Sequence, residues 1–122
     1  MSGVSYFADT NCFIYLLNEN PLLRSFAEYH WAYSFITEIE LLSKNTLTVP
    51  DEQLIRQMLA TCQKTAYSEL ISEHTIMIRR NYKLKLPDAL IAASALSLNI
   101  PLLTADTQFA KVKEIDCFIL EL

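Results

Sequence analysis

Glycine occurs once in these 122 residues, at Gly3. One glycine cannot build a GxxxxGK(S/T) phosphate loop, a GxGxxG dinucleotide turn or a GxSxG nucleophile elbow. Histidine is nearly as scarce. His30 and His74 are the only two, so there is no HExxH pair and no imidazole-rich metal site. Cys12, Cys62 and Cys117 are widely spaced and never form CxxC. That spacing suits neither a zinc knot nor a disulfide framework, and it predicts reduced, mostly buried thiols in the cytoplasm. No lysine or arginine precedes Arg24, and Asp9-Thr10-Asn11 interrupts the first apolar run. No secretory leader is therefore expected. No stretch approaches the ~18 uninterrupted apolar residues of a membrane helix, so no membrane partner is expected.

What is present is core material. Hydrophobic residues make up 52% of the chain and charged residues 20%, which excludes a disordered tail. The length points to a single domain over residues 1–122. The net charge of −4 argues against non-specific binding of nucleic acid by the bare surface.

Val4-Ser5-Tyr6-Phe7-Ala8 reads as a buried first strand, and Asp9-Thr10-Asn11 as the cap of an apolar helix running to Leu17. A short helix is expected from Leu22 to Tyr29. A strand is expected from Trp31 to Phe35, followed by a helix over Glu38 to Ser43. Pro50 opens another helix with Asp51 and Glu52 in its first turn. Thr65 to Leu70 has the composition of a short strand, and Ser72 to Tyr82 that of a helix. Pro87 starts the clearest helix, through Asn99. Pro101-Leu102-Leu103 and Cys117 to Leu120 complete the strands. Strands alternate with helices, and several strands are apolar on both faces. The expected fold class is α/β, a parallel sheet with helices on both sides.

Four acids fall at comparable places. Asp9 directly follows the first strand, and Glu40 lies in the helix after the second. Asp88 is in the first turn of the long helix, and Asp106 follows the Leu102-Leu103 strand. Residues just past strand ends gather along one edge of an open parallel sheet, where ligands bind. Each acid alone has a simpler reading. Asp9 and Asp106 serve as helix caps, Thr37-x-x-Glu40 fits a capping box, and Asp88 suits a helix start. Together they suggest one crevice of mutually repelling carboxylates, which a divalent cation would relieve. With no histidine or cysteine beside them, the oxygen-only set selects a hard ion, Mg²⁺ or Mn²⁺. Setting these four aside leaves the remaining acids and bases equal in number.

Phe7-Ala8-Asp9-Thr10-Asn11, then Ser34-Phe35-Ile36-Thr37-Glu38-Ile39-Glu40-Leu41-Leu42, then Leu86-Pro87-Asp88-Ala89-Leu90-Ile91-Ala92-Ala93, then Leu102-Leu103-Thr104-Ala105-Asp106 resemble, in order and spacing, the four motifs of PIN domains. The likeness is closest to the small VapC-type ribonuclease toxins and spans about Tyr6 to Phe109. It implies a three-layer α/β/α sandwich and a Mg²⁺-dependent endoribonuclease. The site would lie on Asp9, Glu40, Asp88 and Asp106, supported by Thr10, Asn11 and Thr104. It further implies a homodimer and a small antitoxin protein that covers the acidic groove. Two positions depart from the family pattern. Ala105 stands where an Arg or Asn is common, and Gln108 where a further acid is common. Glu38 is a second acid in the second motif, and Glu40 is preferred because it fits Thr-x-x-Glu-Leu.

Arg79, Arg80, Lys83 and Lys85 cluster just before Pro87-Asp88. They read either as a phosphate-contacting RNA rim beside the acids or as an ordinary solvated helix face. Tyr6, Phe7, Phe13, Tyr15, Trp31, Tyr33 and Phe35 read as core or subunit interface. Two other functions stay open. A haloacid-dehalogenase-like phosphatase would use Asp9 as nucleophile, but Asn11 stands where its second Asp belongs. A non-catalytic interaction module would keep the fold without the chemistry.

Overall fold

The computed structural model describes residues 3–121. Five parallel strands form one sheet in the order β3-β2-β1-β4-β5. β1 (Val4–Ala8) lies at its centre, flanked by β2 (His30–Ser34) and β4 (Leu102–Thr104). The edges are β3 (Gln63–Thr65) and β5 (Cys117–Ile119). Helices α1 (Thr10–Leu17), α2 (Phe35–Leu42) and α3 (Val49–Ala60) cover one face, and α4 (Glu69–Asn81) and α5 (Leu86–Leu98) cover the other. This is the expected α/β sandwich.

Both faces are packed because strand residues alternate between them. Phe7, Ala32 and Leu102 enter the core beneath α4 and α5, joined by Ile71, Ile78, Ile91 and Phe109. Ala8, Trp31, Tyr33 and Leu103 enter the opposite core with Cys12, Phe13, Leu41, Ile55 and Leu59. The central ring there is Phe13, which meets the edges of Trp31 and Tyr33 with centroids 5.3 and 5.8 Å away. On the other side, α5 buries Ala89, Ile91, Ala92, Ala93, Ser94 and Ala95. Its alanines let it sit tightly between the sheet and α4, which is why so little of its sequence is amphipathic.

Three expected elements are corrected. No helix forms from Leu22 to Tyr29; a single 3-10 turn, Pro21–Leu23, is followed by turns. Leu23 is fully buried and Phe26 partly so, too short an apolar row to hold a helix in place. The strand expected at Thr65 to Leu70 lies earlier, at Gln63–Thr65. Ser68 then accepts a hydrogen bond from the Ile71 N–H, so Glu69 and Leu70 form the first turn of α4. Helix α2 begins at Phe35, not Glu38, because the Ser34 hydroxyl caps it by accepting from the Ile36 N–H.

Among the thiols only Cys12 is buried; Cys62 and Cys117 are partly exposed, and all three are free. Among the described residues no helix is long and apolar enough to cross a membrane. Tyr82 ties the α4–α5 connection to the segment before β5. Its hydroxyl donates to Glu114 Oε1 at 2.7 Å and accepts from the Lys113 N–H at 3.2 Å.

Helix α5 ends at Asn99, whose φ of 54° and ψ of 45° are left-handed. Asparagine tolerates this conformation; a β-branched residue does not. Asn99→Val should lower stability by about 1–2 kcal/mol, and Asn99→Gly should leave it equal or higher, both read from urea unfolding midpoints.

Candidate active site

The sheet's connections reverse direction on either side of β1. The C-terminal ends of β1 and β4 therefore border the crevice where open α/β sheets bind ligands. Asp9 is the first residue after β1 and is only 5% exposed. Its Oδ1 accepts from the Thr10 N–H at 2.8 Å, capping α1. Its Oδ2 accepts from the hydroxyl of Thr104, the fully buried last residue of β4, at 2.8 Å. That hydroxyl oxygen in turn accepts from the Asp106 N–H at 3.0 Å. Asp106 Oδ1 accepts from the Gln108 N–H at 2.9 Å, so Asp106 does cap the 3-10 turn Thr107–Lys111.

Glu40 is held differently from the capping-box reading. Ser34 already caps α2, and Glu40 does not reach back to the helix start. Its Oε1 accepts from the Thr10 hydroxyl at 2.8 Å. The hydroxyl oxygens of Thr10 and Thr37 lie 2.9 Å apart. Thr10 has one hydroxyl proton and gives it to Glu40, so Thr37 is the donor to Thr10. The completely buried Thr37 thus fixes Thr10, and Thr10 fixes Glu40. Sequence reasoning missed Thr37, although its place one turn before Glu40, in line with the first helix, was a signal. Glu38 points elsewhere and pairs with Lys64 Nζ at 3.0 Å.

The acids repel one another across the crevice. Burial, reinforced by the charges of Asp88 and Asp106, pushes Asp9 up to about 6, against the pull of its Thr104 and Thr10 hydrogen bonds. Asp88, in the first turn of α5, is raised by burial and then by Asp106 and Glu40, and lowered by Lys85. Asp9 thus feels the charges of Asp88 and Asp106, and Asp88 those of Asp106 and Glu40. Burial and then Asp9 also push the Cys12 thiol far up, leaving it protonated. Among the described residues, no three carboxylate, imidazole or thiol groups stand close enough together to hold an ion by themselves. The donor chemistry still fits a hard divalent cation. It consists of oxygen only, with the most buried carboxylate strained toward protonation for want of positive charge.

The remaining candidates divide. Thr10 and Thr104 join the acids directly. Asn11 is exposed on α1, and no hydrogen bond among the described residues links it to them. Lys85 acts on Asp88. Arg79 and Arg80 instead line an open, mainly apolar cleft of about 320 Å³ with Thr75, Ile76 and Leu86. Lys83 is exposed beside them.

Comparisons with known proteins identify the fold and the family. The family model of the PIN domain matches residues 6–115. No curated protein matches the sequence. Among solved structures, a toxin–antitoxin complex from Klebsiella pneumoniae is 32% identical, with 91% of this chain and 95% of that chain covered and a TM-score of 0.79. DNA-bound VapBC from Salmonella typhimurium shares the fold at 19% identity, covering 95% of this chain and 98% of that one, with a TM-score of 0.80. VapBC-1 from nontypeable Haemophilus influenzae does so at 24% identity, with the same coverages of 95% and 98% and a TM-score of 0.80.

The strain on Asp9 has a sign. A carboxyl raised from 3.8 to about 6 binds its proton more tightly folded than unfolded, so stability falls as pH rises from about 4 through 6. The metal-free protein should melt higher at pH 5 than at pH 7.5. Asp9→Asn should raise the melting temperature at pH 7.5, by up to about 3 kcal/mol in stability, and flatten the pH dependence. Calorimetric melts across that range test both, and a profile that rises with pH would contradict the assignment.

Proposed function

The chain belongs to the PIN-domain family, and on that footing we propose that it is a Mg²⁺-dependent endoribonuclease, the toxin of a toxin–antitoxin pair. PIN domains are nucleases, which places the chain among hydrolases of phosphodiester bonds. The observation that carries the finer reading is the buried, strained Asp9 carboxylate at the switch point, coupled to Asp88 and Asp106.

Asp9, Glu40 and Asp88 would hold one or two Mg²⁺, with Mn²⁺ as a substitute, and Asp106 would complete the set. Bound there, the cation supplies an activated water and offsets the charge that grows on the phosphate. The chain's own groups do the positioning. Thr104 holds Asp9 Oδ2 toward β4, and Thr10, itself fixed by Thr37, presents Glu40. Such support keeps carboxylates in one orientation. Lys85, whose charge acts on Asp88, would contact RNA phosphates at the crevice, and Arg79, Arg80 and Lys83, on and beside the neighbouring cleft, would extend that basic rim.

The Klebsiella relative is a toxin–antitoxin complex, which supports a small antitoxin protein as the partner that covers the acidic crevice. We read residues 1–122 as a single domain acting in the cytoplasm.

Asp9→Asn and Asp88→Asn should each abolish Mg²⁺-dependent cleavage of RNA while remaining folded. Full activity in both would end the nuclease assignment. Glu40→Gln should lose activity where Glu38→Gln keeps it, since Glu38 is turned toward Lys64. Independently of turnover, Mg²⁺ should raise the melting temperature more at pH 7.5 than at pH 5, and Asp9→Asn should remove most of that gain.

A further inference from the structure

Six of the ten lysines and arginines fall in two short stretches, Arg79 to Lys85 and Lys111 to Lys113. In a chain of net charge −4 that is a concentration of positive charge, not an even coat. Of the other four, Arg56 and Lys64 are engaged by Glu52 and Glu38. Those are the ion pairs among the described residues, and neither involves the two stretches.

The stretches repeat one pattern. In Lys83-Leu84-Lys85 and in Lys111-Val112-Lys113 an apolar residue stands between two lysines. Leu84 is 6% exposed and Val112 1%, and both enter the core beneath α4 and α5. The backbone is extended at Tyr82, Lys85 and Val112, so the neighbours of each anchor point away from it. All four lysines are exposed. Tyr82 joins the stretches, because its hydroxyl donates to Glu114 Oε1 and accepts from the Lys113 N–H. Segments far apart in the sequence thus lie side by side with their lysines outward. Solvation asks for polar residues at such positions, of either sign. It does not ask for four of one sign on a molecule that is acidic elsewhere. Both stretches also start at the crevice. Lys85 stands three residues before Asp88, and the 3-10 turn that Asp106 caps ends at Lys111.

We infer that Lys83, Lys85, Lys111 and Lys113 form one track for a nucleic-acid phosphodiester backbone, leading away from the crevice across the Tyr82 tie. The inference rests on the proposed function in taking that strand to be the RNA substrate. Four like charges side by side repel one another, and a polyanion relieves that cost. Lysine contacts phosphate oxygens as a point charge and reads no base. The flank of the substrate on this track is therefore held whatever its sequence, and the choice of a cleavage point is left to groups nearer the acids.

The test is binding rather than turnover. The anisotropy of a labelled oligouridylate is followed with the full-length chain in EDTA, from about 50 to 200 mM salt. Each phosphate contact on a single strand adds about 0.7 to the slope of log affinity against log salt. Lys111→Gln with Lys113→Gln should lower that slope by about 1.4, and Lys83→Gln with Lys111→Gln, one lysine from each stretch, by as much. Arg24→Gln with Lys44→Gln removes equal charge elsewhere and should leave it unchanged. A DNA oligothymidylate of the same length should respond alike, since the sugar is not read. Circular dichroism verifies folding, which exposed substitutions rarely disturb. A slope indifferent to both lysine pairs, or lowered as much by the Arg24 and Lys44 changes, would overturn the inference. So would an effect confined to one of the two nucleic acids. Loss of affinity for polyglutamate alone would overturn it too, and would assign the patch to an acidic protein partner. Because EDTA withholds the metal, a lowered slope beside a wild type that cleaves no RNA would keep the track and remove the nuclease reading.

Discussion

Asp9 combines two demands that oppose each other. The position after a central strand, under two packed layers, removes water from the carboxylate. The neighbouring Asp88 and Asp106 then raise the cost of its charge. An isolated ionised carboxylate in that setting would be untenable. Two hydrogen bonds, from the Thr10 backbone and the Thr104 hydroxyl, offset part of the cost. What they leave over is a local demand for positive charge at the ends of β1 and β4.

The rest of the architecture serves that point. Phe7 and Ala8 face opposite cores, so β1 is clamped from both sides and Asp9 emerges at a fixed height. β4 pairs with β1 through Phe7–Leu102 and Ala8–Leu103, which sets Thr104 beside Asp9. Glu40 is reached by a longer route. Ser34 caps α2, α2 carries Thr37 inward, and Thr37 and Thr10 together steer the carboxylate. Three chain segments thus converge through hydroxyl groups, while Asp88 joins through space alone.

Much of this was legible in the residue order. β1, the Asp9 cap and the α5 start each carry a local signal, and the alternation of strands with helices prescribes the parallel sheet. The errors have physical causes. The stretch from Leu22 to Tyr29 has helix-compatible residues but too narrow a buried row. The start of α2 was misplaced because Ser34 ends a strand and caps a helix at once. That shift also made Thr37-x-x-Glu40 resemble a cap. Glu40 is preferred to Glu38 on its place in Thr-x-x-Glu-Leu, but what holds it, the Thr10 hydroxyl of the first helix, and what engages Glu38, Lys64 of β3, are contacts between distant segments that no local pattern encodes.

Both borders of the sheet are only three residues long, at Gln63–Thr65 and Cys117–Ile119. So few open backbone groups make a poor template for a foreign strand. The molecule is thereby protected against fibril-like stacking, and its associations are left to side chains on helices. Such contacts can be made and released without disturbing the ladder that holds the acids together.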